Sequence, residues 1–100
     1  MRIIATSNLA KYAEKHPETL TALVHWQTVA KAANWKSTQE VLGFFTKAKV
    51  LNAERVRFEI AGGNYRLIVS FNFVVGIAFI KFIGTHAEYD KINALTVSQF

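Results

Sequence analysis

Residues 55–60, RVRFEI, alternate strictly, with Val56, Phe58 and Ile60 facing one way and Arg55, Arg57 and Glu59 the other. A period of two marks a strand with one face in a core and the other outside it. GGN at 62–64 follows, and Gly and Asn tolerate positive φ, so the pattern predicts a hairpin turn. YRLIVSFN, 65–72, is then the returning strand, and after a turn near Asn72–Gly76 the segment GIAFIKFIG supplies a third. The first half has a different rhythm. RII at 2–4 reads as a short strand, and TSN at 6–8 offers capping oxygens for a helix beginning near Leu9. Pro17 suits the first position of a second helix, with Glu18 in its favourable first turn. Leu20, Leu23, Val24, Trp26 (or Gln27), Ala30 and Trp35 give a mostly helical repeat, running to about residue 33 with Asn34 as the stop.

STQE at 37–40 has capping-box spacing and introduces a third short helix through VLGFF. Residues 46–54 read as a loop carrying Lys47 and Lys49. At the other end THAE, 85–88, is again a capping box, Thr85 with Glu88, opening a last helical turn. Helices first and strands after predict an α+β domain, 1–100, with the N-terminal strand and helices packed on one face of a small antiparallel sheet. The opposite sheet face is then free for a substrate. Arg55, Arg57 and Arg66 fall at its polar positions on adjacent strands. Lys81, which interrupts the alternation of the third strand, is a candidate to join them.

Composition narrows the partners. One hundred residues are too few for two cores, and 51% hydrophobic residues with a single Pro are no signature of disorder. The absence of cysteine excludes a disulfide framework, a thiolate metal site and a thiol nucleophile, and fits a reducing cytoplasm. A net charge of +5 favours a polyanionic partner such as nucleic acid or an acidic protein. No charged segment followed by an apolar one opens the chain, so no secretory signal is expected. Residues 67–83 are nearly continuous in apolar residues. They are shorter than the roughly 20 needed to span a bilayer, and Ser70, Asn72, Gly76 and Lys81 interrupt them. Their Val, Ile and Phe content favours two buried strands, so no membrane partner is expected.

With GGNYRLIV, its core GNYRL at 63–67, followed by GTHAEYD at 84–90, the chain resembles the HigB family of bacterial toxins, within the RelE/ParE-like fold group. AANWKS near 32–37 and RVRFEI extend the resemblance over nearly the whole chain. It implies a toxin of a toxin–antitoxin pair that cleaves messenger RNA without metal or other cofactor, with the ribosome generally presenting the message. It implies as partner a helix-turn-helix antitoxin, HigA-like, and a cytoplasmic location. Two departures stand out. Arg57 occupies a position where relatives tend to be hydrophobic, which adds positive charge near the proposed RNA face. Val74–Val75 occupy a turn where relatives tend to be charged, which leaves it apolar, either as a partner surface or tucked in.

RNA can be cut by attack of its own 2′-hydroxyl on the adjacent phosphorus. This needs a base, an acid and cations around the charged transition state, and no Ser or Cys nucleophile. Arg66 is the first candidate for the phosphate, since a guanidinium can bind two of its oxygens; the competing reading is a surface arginine paired with Glu59 across the hairpin. His86, at the first helical position, carries the side-chain type whose ordinary titration lies nearest neutrality; the competing reading is that it only orders the turn. Tyr89, three residues on, could stack on a base, assist proton transfer, or simply pack against the sheet. Asp90 suits a salt-bridge partner of His86, and Glu88 is better explained by the capping box than by catalysis. Lys36, Arg55, Arg57 and Lys81 are electrostatic candidates along an RNA path, each alone no more than a solvated charge. Trp26 and Trp35 could stack on bases, though aromatics at helical spacing usually pack in a core. His16 and His25 lack ligand partners at useful spacing, so no metal is assigned. Two other readings stay open: a ParE-like binder of a protein target such as DNA gyrase, and an accessory that binds nucleic acid without cutting it.

Overall fold

The computed structural model describes all 100 residues. In chain order the elements are β1 (Arg2–Ile4), α1 (Thr6–Lys15), a 3-10 turn (Pro17–Thr19), α2 (Leu20–Ala32), α3 (Thr38–Leu42), β2 (Lys49–Val50), β3 (Arg55–Ile60), β4 (Tyr65–Asn72), β5 (Ile77–Thr85) and α4 (His86–Tyr89). The five strands form one sheet in the order β1-β5-β4-β3-β2. β1 runs parallel to β5 and the other pairs are antiparallel. The class is α+β, as the pattern predicts.

The local differences have identifiable causes. α1 starts at Thr6, not near Leu9, and carries no side-chain cap. The chain turns out of β1 through Ala5 in the left-handed region, φ 75, and the Ala5 carbonyl accepts from Asn8 N–H at 3.0 Å. Thr6, Ser7 and Asn8 therefore lie inside the first turn. Pro17 opens a 3-10 turn that runs on into α2. The loop expected at 46–54 contains β2, two residues paired to Val56 and Arg57. The N-terminal ammonium of Met1 donates to the carbonyls of Ala30, Lys31 and Ala33, neutralising the negative end of α2.

One sheet face is the core. Val56, Phe58, Ile60, Leu67, Val69, Phe71 and Ile80 pack under Leu9, Leu23, Trp26 and Ala30 of the helices and Trp35. Trp26 meets the Phe58 ring edge-on at 5.4 Å and Trp35 meets Phe71 at 5.8 Å, the geometry aromatic quadrupoles prefer. Both tryptophans are almost fully buried, so neither is offered to a nucleobase. Leu20 and Val24, counted in the apolar repeat of α2, are instead half-exposed.

The opposite face is partly covered. Ile68 and Phe82 point away from the main core, yet they are 0% and 4% exposed. The cover near the middle and far end of this face is the C-terminal tail. Arg55 Nη1 donates to the carbonyls of Ala94 (3.1 Å) and Val97 (2.8 Å). Gln99 closes the strap on β5: its N–H donates to the Lys81 carbonyl and its side-chain oxygen accepts from Ile83 N–H, both at 2.9 Å. The Val74–Val75 turn is not tucked in, at 94% and 61% exposed.

Candidate active site

The hairpin register sets the site. Arg55 stands opposite Ser70, Arg57 opposite Ile68 and Glu59 opposite Arg66, and on the other side Arg66 stands opposite Gly84. These residues share the face away from the main core, with Glu59, Arg66 and Gly84 in one row at the hairpin-turn end. α4 begins two residues after Gly84 and is fastened to the same end by His86 N–H, which donates to the Asn64 carbonyl at 2.9 Å. So β3 and β4 deliver side chains to one end of one face, and α4 adds Tyr89.

α4 is a single turn, and its capping makes it definite. Thr85 Oγ1 accepts from Glu88 N–H at 3.1 Å, and Glu88 Oε1 accepts from Thr85 N–H at 2.8 Å. That backbone hydrogen bond holds the Glu88 carboxyl below its ordinary range. The corresponding box at α3 is looser. Ser37 Oγ accepts from Glu40 N–H, but the Glu40 carboxylate takes the Lys36 N–H rather than that of Ser37.

From this turn His86 projects outward, its side chain 55% exposed, with Nδ1 3.1 Å from Asp90 Oδ2 one turn on. An Nδ1–H donated to Asp90 leaves Nε2 free toward solvent. Tyr89 leans the other way. Its ring lies 6.4 Å from that of Phe82, and the guanidinium of Arg57 sits over it at 5.9 Å, a cation–π contact. A Cβ at Gly84 would fall 2.6 Å from the Phe82 ring, so glycine there is what lets that ring lie against β5.

Arg66 is only 8% exposed. Its Nη1 donates to the Gly63 carbonyl and, at 3.4 Å, to that of Tyr65. Its Nε has no partner, and neither has the Nε of Arg57. Arg66 does not pair with Glu59; Glu59 pairs instead with Arg57, Oε2 to Nη2 at 3.5 Å.

Three candidates lie elsewhere. Lys36 is exposed at the head of α3, which packs against β2 at the far edge of the sheet. Arg55 shares the face but sits at its other end, its guanidinium engaged by the tail. Lys81 falls at a bulge where the β4–β5 register skips, and its ammonium lies 5.6 Å from the Phe79 ring. The expected alignment of three arginines therefore holds for the face, while only Arg57 and Arg66 reach the end that carries α4.

A second polar cluster was not anticipated. On the core side Tyr12 stacks on His16 at 4.2 Å, and both meet Tyr65 edge-on. The Tyr65 hydroxyl donates to Glu18, which lowers the Glu18 carboxyl and raises the phenol. Burial, with the charge of Glu88 next, pushes Tyr12 up to about 12. No grouping of three or more His, Asp or Glu is arranged to hold a metal ion. No helix is long and apolar enough to cross a membrane.

Residues 19–92 match the family described as HigB toxin, RelE-like toxic component of a toxin–antitoxin system. The chain is also 33% identical over 96 residues to the mRNA interferase HigB of Escherichia coli O6:H1, covering 93% of this chain and 92% of that protein.

Proposed function

Since the chain belongs to the HigB family of RelE-like toxins, we propose that it is an endoribonuclease, an mRNA interferase that stops translation by cutting messenger RNA. The observation that carries this reading is that Arg57, Arg66 and Tyr89 lie at one end of the sheet face, with His86 exposed on the same helical turn as Tyr89, in a protein of net charge +5. A phosphodiester laid there meets two guanidinium groups for its developing charge, an imidazole with one nitrogen unengaged for proton transfer, and a tyrosine ring on which a base can stack. No metal is needed for attack by the 2′-hydroxyl. The name of the E. coli relative, mRNA interferase, supports the same chemistry.

The antitoxin is a helix-turn-helix protein of HigA type that masks the basic end of the sheet. The message is engaged on the ribosome, in the cytoplasm. Arg66 binds the scissile phosphate, His86 exchanges the proton with Asp90 orienting it, and Lys36, Arg55 and Lys81 contribute at most to the wider field.

Induced expression tests this. Growth should stop and transcripts should be cut at discrete sites, while Arg66→Ala relieves both and keeps the far-ultraviolet dichroism of the fold. Arrested cells with intact transcripts would replace this reading with a non-catalytic toxin acting on a protein target, as ParE-like relatives do on DNA gyrase.

A further inference from the structure

Metal-free cleavage needs two proton-transfer groups on opposite sides of one phosphate, and the family reading supplies His86 for one. Resting on that reading, we infer that Glu59 is the other: the general base that takes the proton from the attacking 2′-hydroxyl.

The placement comes from the register. Glu59, Arg66 and Gly84 stand side by side on β3, β4 and β5, and His86 follows Gly84 by two residues. Neighbouring strands lie about 4.8 Å apart, so Glu59 and Gly84 rise from backbones about 10 Å apart with the arginine between them, and the imidazole follows on the helical turn that β5 leads into. That gap accommodates one phosphodiester seated on Arg66, with a proton acceptor on one flank and a proton donor on the other.

The turn brings the charged tips together. A Cβ at Gly63 would lie 2.7 Å from Glu59 Oε1 and 3.5 Å from Arg66 Nη1, so both occupy the space that the missing side chain leaves. Glu59 is also the carboxylate at this end that faces the arginines, its partner being Arg57 Nη2. Glu88 closes the helix cap and Asp90 holds the imidazole. A bare carboxylate would repel a phosphate, but here the Arg57 guanidinium lies at 3.5 Å and the Arg66 guanidinium beside it, so the trio carries a net positive charge. Each arginine still has an Nε–H without an acceptor.

The step balances without any co-reactant. The 2′-O–H proton moves to the Glu59 carboxylate as the O2′–P bond forms. The P–O5′ bond breaks as protonated His86 gives its proton to the leaving 5′-oxygen. The products are a 2′,3′-cyclic phosphate and a 5′-hydroxyl, and Arg66 and Arg57 hold the charge of the transition state.

Single-turnover cleavage of a messenger on programmed ribosomes, from about pH 5 to 9 across the carboxylate and imidazole ranges, tests this. Wild-type protein should show a rate that climbs on an acid limb. Glu59→Gln should cut about 10²- to 10⁴-fold more slowly, the usual worth of a general base, and lose that limb while melting at the wild-type temperature. Glu59→Asp should be intermediate and keep the limb, and added formate should restore part of the rate of Glu59→Ala. Glu59→Gln at the wild-type rate overturns the assignment. So does a slow Glu59→Gln whose acid limb is unmoved, since that confines Glu59 to positioning Arg57. Wild-type protein that leaves the message intact would instead overturn the nuclease reading itself.

Discussion

Gly62 and Gly63 are adjacent, both have positive φ (71 and 90), and they differ in what a methyl group would touch. At Gly62 a Cβ meets nothing within 4 Å; at Gly63 it meets Glu59 Oε1 at 2.7 Å. Alanine at either position bears the backbone penalty of an L-residue in the left-handed region, about 1–2 kcal/mol. At roughly 4–8 °C per kcal/mol for a domain of this size, each variant should melt about 4–16 °C below wild type. Only Gly63→Ala should also move the site. Carbon and oxygen sit comfortably about 3.5 Å apart, so the carboxylate must retreat by about 1 Å. A misplacement of that order can lower a rate about 10²-fold. The assay pairs differential scanning calorimetry with the cleavage rate measured well below both melting temperatures. The expected result is a similar loss of stability in the two variants, with near wild-type cleavage by Gly62→Ala and about 10²-fold slower cleavage by Gly63→Ala. Equal cleavage by the two would show that the Glu59–Gly63–Arg66 contact has no part in the reaction.

Arg55→Ala removes both bonds from the guanidinium to the tail carbonyls. It should lower stability by about 2 kcal/mol and open residues 93–100 to carboxypeptidase digestion, and an unchanged digestion rate would show the strap is held by other contacts. The phenol of Tyr12 is raised from 10.0 to about 12 in the fold. A raised pKa means the folded state holds its proton more tightly than the unfolded chain, so this contribution is complete below pH 10 and is lost as pH rises toward about 12. Urea titrations across that window should show stability falling more steeply for wild type than for Tyr12→Phe. Matching slopes would remove Tyr12 as the cause.

What the sequence made legible were the elements whose residues speak for themselves over a full period. The alternation of RVRFEI and the GGN turn together define the hairpin, its register and the face of Arg57 and Arg66. The same two facts also place Glu59 opposite Arg66, so that pairing is legible from the pattern. THAE carried its own cap. β2 was hidden because two residues cannot show alternation, and its strand character comes from pairing with β3. The start of α1 was hidden because Ala5 adopts a conformation alanine rarely takes, so tertiary packing overrides local preference there. The tail strap was hidden because its anchors are backbone carbonyls held by an arginine about 40 positions earlier, a contact with no side-chain signature in the tail itself.

The two ends of the outer sheet face are finished differently, and that difference favours the proposed placement of the chemistry. At the far end Arg55 donates from Nη1 to two tail carbonyls. Beyond the tail, Ile68 and Phe82 are sealed as an ordinary minor core. At the hairpin end a more deeply buried arginine makes as many bonds but has its Nε buried without a partner. Arg66 has two carbonyls and an unpartnered Nε, while the carboxylate directly across from it turns to Arg57. A buried guanidinium short of acceptors loses hydration that the protein does not replace, a penalty of about 1–3 kcal/mol per unmade bond. A fold optimised for stability alone would close Glu59 onto Arg66 or exchange the arginine for an apolar residue like its neighbours Leu67 and Ile68. Tyr12 Oη, Trp26 Nε1 and Trp35 Nε1 are also buried without partners, so the orphaned Nε alone marks no site; at Arg66 it coincides with a second guanidinium and with a carboxylate turned aside. Under the proposed function, the ligand that meets these two guanidinium groups is a phosphodiester.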